Sequence, residues 1–111
     1  MREAFSVMDT ARRDPDAFIE ADLDFHLSLA EAAANPFILS VIDSIVGLLR
    51  EQRMRIFFVV GGPERGQVHH KRILDAIERR DSQGAREAMH AHLRQVREDS
   101  RNSSDERDPA V

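Results

Sequence analysis

At 111 residues, with 16 Lys and Arg against 20 Asp and Glu and a formal charge of -4, the chain is the size of one mildly acidic domain. That balance offers no basic surface for a phosphate backbone, so the chain by itself is not expected to bind DNA. Cysteine is absent, which excludes disulfides and thiolate metal sites and leaves His, Asp, Glu or water as donors for any metal.

The N-terminal stretch "MREAFSVMDTARRD" lacks a signal-peptide core. The longest apolar run, "PFILSVIDSIVGLL", is too short for a bilayer and carries Asp43. A cytoplasmic location without membrane contact is therefore expected. "REAFSVMDTARR" reads as a first helix, stopped at "RDPD", where Asp14 precedes Pro15. Asp16 is placed to cap a second helix through "AFIEADLDFHLSLAEAAA". "NP" at 35–36 ends it and opens a third, with Asn35 as cap and Pro36 at the first helical position. The third helix, "FILSVIDSIVGLLREQRMRIFFVV", is apolar on several sides at its start, as a central bundle helix would be. "GGPERG" breaks it. A fourth helix, "QVHHKRILDAIERR", is followed by "DSQG" and a fifth, "AREAMHAHLRQVRE". The remaining "DSRNSSDERDPAV" is polar and unpatterned. No segment alternates as a strand and no repeat stands out. The expected fold is all-α: an antiparallel helical bundle of about five helices over residues 1–98, then a disordered tail over 99–111.

The five histidines divide by helical register. Asp22, Phe25, His26 and Leu29 share one face of the second helix. His70, Ile73, Leu74 and Ile77 repeat that spacing on the fourth, and Ala85, Ala88, Met89, His92, Leu93 and Val96 form the stripe of the fifth. His69 and His90 turn toward the polar faces beside Arg72 and Arg86. One histidine on an apolar stripe is ordinarily a hydrogen-bonded core residue. Three of them with an aspartate are different, because each polar group buried without a partner costs about 1–3 kcal/mol and an ionised carboxylate costs more. These four groups must satisfy one another or share a cation. A divalent metal suits imidazole nitrogen and carboxylate oxygen alike.

The segments "EADLDFHLSLAEAAANPFI" and "HHKRILDAIERRDSQGAREAMHAHL" closely resemble the FCD effector domain of GntR-type bacterial transcription regulators. That family has a D-x-x-F-H segment, an Asn-Pro break, a His ahead of an I-L-x-A-I helix and a final A-M-x-x-H-L helix. The resemblance runs from about Asp14 to Val96 and implies that Asp22, His26, His70 and His92 ligate a divalent metal in the bundle core. Zinc is the first expectation, nickel or manganese the next. It also implies an organic-acid effector beside the ion, a homodimer, and control of an attached winged helix-turn-helix module. By this resemblance, that module and most of the family's opening helix are expected to lie outside this chain.

A carboxylate effector needs a second positive group. Ile42, Val46, Leu49, Arg53, Ile56 and Val60 share a stripe of the third helix, so Arg53 sits among apolar neighbours with a fork suited to a bidentate carboxylate contact. The plainer reading of Arg53 is a pairing with an acid on another helix, or a head group reaching the surface. Phe57 and Phe58 read as core or an interface patch. Two rivals to an effector-binding regulatory domain stay open. One is a metalloenzyme whose three-histidine centre activates water, for which no general base stands out. The other is a metal that only staples the bundle. The expectation is that the chain is not an enzyme.

Overall fold

The computed structural model describes the backbone of residues 1–32 and 36–107 and the side chains of residues 1–32 and 47–103. Among the described residues there are five helices and no strand: α1 (Arg2–Thr10), α2 (Pro15–Ala32), α3 (Pro36–Phe57), α4 (Gly62–Glu78) and α5 (Ser82–Arg107). The protein is an all-α helical bundle, as the patterning requires. It divides into two compact units, residues 1–54 and 55–111, with the boundary inside α3.

In the first unit α1 packs on α2. Met8 is the fully buried residue of α1, while α2 buries Phe18, Ile19, Ala21, Leu23 and Phe25. Apart from Ala21, each such side chain contributes about 1.5–3 kcal/mol when removed from water. The cap of α2 is two residues earlier than expected. Asp14, not Asp16, accepts the backbone N–H of Ala17 at 3.2 Å, with Pro15 at the first helical position. Proline loses nothing there, because the N–H it lacks would have no intrahelical acceptor. α1 stops at Thr10, short of the Arg13 limit expected for it. Pro36 does open α3, but its expected cap Asn35 lies outside the described residues, as do the side chains of Ile42 and Val46.

The second unit corrects three expectations. The "GGPERG" break is much shorter than it reads. Gly61 takes φ 76° as the residue before α4, and Pro63 occupies its first turn, so Glu64, Arg65 and Gly66 are already helical. A side chain at Gly62 would strike the Ile56 carbonyl at 2.5 Å, which is why the chain can double back so tightly there. α3 ends at Phe57 rather than Val60, leaving Val60 88% exposed and Phe58 exposed beside Phe57. Finally, α5 does not give way to a tail at residue 99. It continues to Arg107, and Asp99 and Ser103 are buried. Residues 108–111 lie outside the described part.

α4 and α5 form an antiparallel hairpin: Arg65 meets Asp99 at one end, and His70 faces His92 further along. The turn has defined chemistry at both ends. The N–H of Asp81 reaches the Ala76 carbonyl at 2.8 Å and that of Arg80 reaches Ile77 at 3.0 Å, the paired bonds of a Schellman cap. Asp81 then caps α5 by accepting the Gly84 N–H at 2.8 Å. The cap places Arg80 at φ 58°, a left-handed conformation that costs a side-chain-bearing residue about 1–2 kcal/mol. Arg80→Gly should therefore raise stability by about 1 kcal/mol. Urea unfolding should show a higher midpoint at unchanged slope; an unchanged or lower midpoint would mean that the Arg80 side chain compensates the strain.

Candidate metal centre

α2 brings Asp22 and His26 together, four residues apart on one face. The Nε2 of His26 lies 3.1 Å from Oδ1 of Asp22, and the other oxygen, Oδ2, accepts Nε–H of Arg53 at 2.9 Å. Asp22 is 4% exposed, so its charge depends on these partners. The ring of Phe25 meets that of His26 edge to face at 5.5 Å, giving the imidazole an apolar wall. Arg53, half-buried on α3, also donates from Nη1 to Oε1 of Gln52 at 3.0 Å. Thus the plainer reading of Arg53 holds: it pairs with an acid from another helix, and that acid is a predicted metal ligand. Arg50 is drawn into a separate ion pair with Glu20.

In the second unit His70 and His92 are both buried, with ring centroids 4.7 Å apart and the rings at 69°. Each has a glutamine one turn away on its own helix. The Nδ1 of His70 lies 2.9 Å from Oε1 of Gln67, and the Nδ1 of His92 lies 2.9 Å from Oε1 of Gln95. An amide oxygen can only accept, so both rings donate from Nδ1, and in a neutral imidazole of that tautomer Nε2 is the nitrogen with the lone pair. Metal-binding histidines ordinarily use this arrangement, with the non-ligating nitrogen donating to a neighbouring oxygen.

The predicted ligands fall in pairs, one in each unit. Asp22 and His26 lie together in the first, and His70 and His92 lie together in the second, where each offers a ring nitrogen that could serve a metal ion. His90 is exposed, as its register requires. His69 departs from expectation. It is half-buried rather than on the polar face, its ring lies 5.9 Å from that of His92, and its Nδ1 is buried without a hydrogen-bond partner. Leu93, expected in the stripe, is 52% exposed.

Sequence reasoning passed over Gln67, Gln95, Asp99 and Arg65. Asp99 is 1% exposed and accepts from Nε of Arg65 at 3.2 Å and from Nε2 of Gln95 at 2.6 Å. Arg65 also donates to the Val60 carbonyl at 3.0 Å, and its guanidinium is held still more firmly charged by Asp99. A signal for these residues was present. Gln95, Asp99 and Ser103 continue the His92 stripe at helical spacing, a run of polar residues where an apolar face was due.

Residues 1–95 match the FCD domain family, and the chain belongs to that family, whose members are domains of GntR-type regulators rather than enzymes. The match begins at residue 1, earlier than Asp14, and so takes in α1. Two curated relatives, from Escherichia coli (strain K12) and Shigella flexneri, are each 35% identical over 88 residues, which is 76% of this chain and 34% of theirs. Both bear the name of an L-lactate dehydrogenase operon regulatory protein. The chain thus spans about a third of the length of the curated relatives it matches. No solved structure matches it. No helix among the described residues is long and apolar enough to cross a membrane.

His69 supplies a test of the electrostatics. Burial, first of all, and then Arg72, His70 and Arg94 push its pKa below the ordinary 6.5, with Asp99 opposing. A histidine whose folded pKa is depressed stabilises the fold above its unfolded pKa, and that stability is lost as pH falls from there toward the folded value. In chelator-treated protein, His69→Gln should lose less stability than the parent between about pH 7 and 5. The check is the urea midpoint across that range. Equal losses in both proteins would assign the proton uptake to other groups.

Proposed function

We propose that this chain is the effector-responsive domain of a GntR-type transcription regulator, binding one divalent metal through Asp22, His26, His70 and His92. The observation that supports the reading is the pair of buried rings of His70 and His92, 4.7 Å apart and each tied through Nδ1 to a glutamine oxygen. Imidazole-rich donors favour zinc, with nickel and manganese as the alternatives. In the proposed site Arg53 keeps the Asp22 carboxylate oriented from its other side.

When bound, the ion supplies a Lewis acid for one carboxylate oxygen of an organic-acid effector. Arg53 is the group proposed to receive another. Its Nε and Nη1 already serve Asp22 and Gln52, so the effector competes with Gln52 or meets the outer edge of the guanidinium. Because the relatives are named for an L-lactate dehydrogenase operon, small 2-hydroxy acids, L-lactate among them, head the candidates. In this reading DNA is read by a winged helix-turn-helix module of the full-length regulator, in a homodimer and in the cytoplasm. This domain does not bind DNA by itself.

Elemental analysis should find close to one metal ion per chain. His26→Ala and His92→Ala should lose it, whereas His69→Ala and His90→Ala should retain it. Equal loss from all four variants would overturn the proposed ligand set.

Calorimetric titration of a hydroxy- and dicarboxylate panel should give binding to metal-loaded protein, little to the chelated form, and a loss of about 1–3 kcal/mol in Arg53→Lys, since an ammonium cannot replace a planar fork. A ligand that binds loaded, chelated and Arg53→Lys protein alike would make the metal a staple and place the effector elsewhere.

A further inference from the structure

Beyond its proposed ligands, the second unit contains a continuous polar chain running away from His92: His92 to Gln95, Gln95 to Asp99, Asp99 to Arg65. Its members come from one turn after another of α5 and from the first turn of α4. The direction of each bond is dictated by chemistry. Arg65 can only donate, and it holds Asp99 as a carboxylate, which can only accept. Gln95 must therefore turn its NH2 end to Asp99, at 2.6 Å, and its oxygen end to His92, at 2.9 Å. An oxygen there accepts, so Nδ1 of His92 must donate. Gln67 offers the same oxygen to His70.

We propose that Arg65, Asp99 and Gln95 are a positioning relay that locks the His92 imidazole in the tautomer with hydrogen on Nδ1 and so presents Nε2 as a metal donor. This rests on the metal reading above for its purpose, but not for its first test. A simple structural clamp between α4 and α5 would need Arg65 and Asp99 alone. The relay requires Gln95 between them and the ring, and it requires the amide in one orientation.

The tautomer is read directly from nitrogen-15 shifts and long-range couplings of His92 in chelator-treated protein at about pH 8, where a histidine of ordinary pKa is neutral. The parent should show the Nδ1–H form. Gln95→Met, which removes the acceptor, and Asp99→Asn, which lets the Gln95 amide turn over, should both shift His92 toward a mixture. Zinc affinity, measured by competition with a chromophoric chelator, should fall by about 10- to 100-fold in each, the usual effect of losing a partner behind a metal ligand. The double variant Asp99→Asn/Gln95→Glu restores an acceptor-only group facing both the ring and residue 99. It should recover the Nδ1–H form and most of the affinity. Gln83→Met, on the exposed face of α5, serves as the control and should change neither reading.

A parent protein with hydrogen on Nε2 of His92 would overturn the relay, whatever the variants do. So would single variants that lose stability but keep both the tautomer and the affinity, for that is the behaviour of a clamp. If the parent takes up no zinc yet shows the Nδ1–H form, and the variants lose it, the relay stands and the metal reading falls.

Discussion

Among the described residues two carboxylates are buried, Asp22 and Asp99, and much of the polar architecture around them answers them. An ionised carboxylate removed from water costs several kcal/mol unless it is paired and hydrogen-bonded. Each unit meets that cost in the same way. Asp22 takes Arg53 on one oxygen and His26 on the other; Asp99 takes Arg65 and, through Gln95, reaches His92. An arginine neutralises, and the remaining lone pairs are used to orient an imidazole. Buried ion pairs are seldom the most stable solution, since apolar residues of the same volume often do as well or better. Their value here is directional: they determine which way histidine nitrogens face.

Within the second unit, backbone devices at the helix ends decide whether His70 and His92 can meet. The close approach of Gly62 to Ile56 begins α4 immediately after α3. The left-handed Arg80 and the Asp81 cap then join α4 to α5 in three residues. A slip of one residue at that turn would rotate a helix face by roughly 100°. His70 would then no longer face His92, and Arg65 would no longer reach Asp99. The paired hydrogen bonds of this left-handed turn keep the hairpin in register, so the turn is part of the site's construction although it lies well along the chain from it.

Much of this was legible in residue order. Periodicity of 3.6 gave helices in the right number and placed Asp22, Phe25, His70, Ile73 and Leu74 inward, because burial of an apolar stripe is the main signal that a helix leaves in its sequence. The motif resemblance led to the family that the comparison bears out. The errors share a cause. Asp14 and Asp16, or Gly61 and Gly66, are nearly equivalent as symbols, and only the actual hydrogen bonds select the cap and the break. The "DSRNSSDERD" run looked solvated because polar residues usually are; Arg65, 34 positions away, makes Asp99 a buried residue. His69 was assigned to the polar face by register alone, which does not register how close the ring of His92 comes.

The sequence by itself determined that this protein is all-helical, which faces of its helices are apolar, and that Asp22, His26, His70 and His92 stand on those faces, since spacing along a helix translates directly into direction. Tertiary structure decided what those residues meet. Arg53 became the partner of Asp22, Gln67 and Gln95 became the acceptors behind two histidines, and Asp99 moved from an expected tail into the buried interior. The physical reason is that a polar group's role depends on the donor or acceptor within about 3 Å of it, and that neighbour is chosen by packing, not by position in the chain.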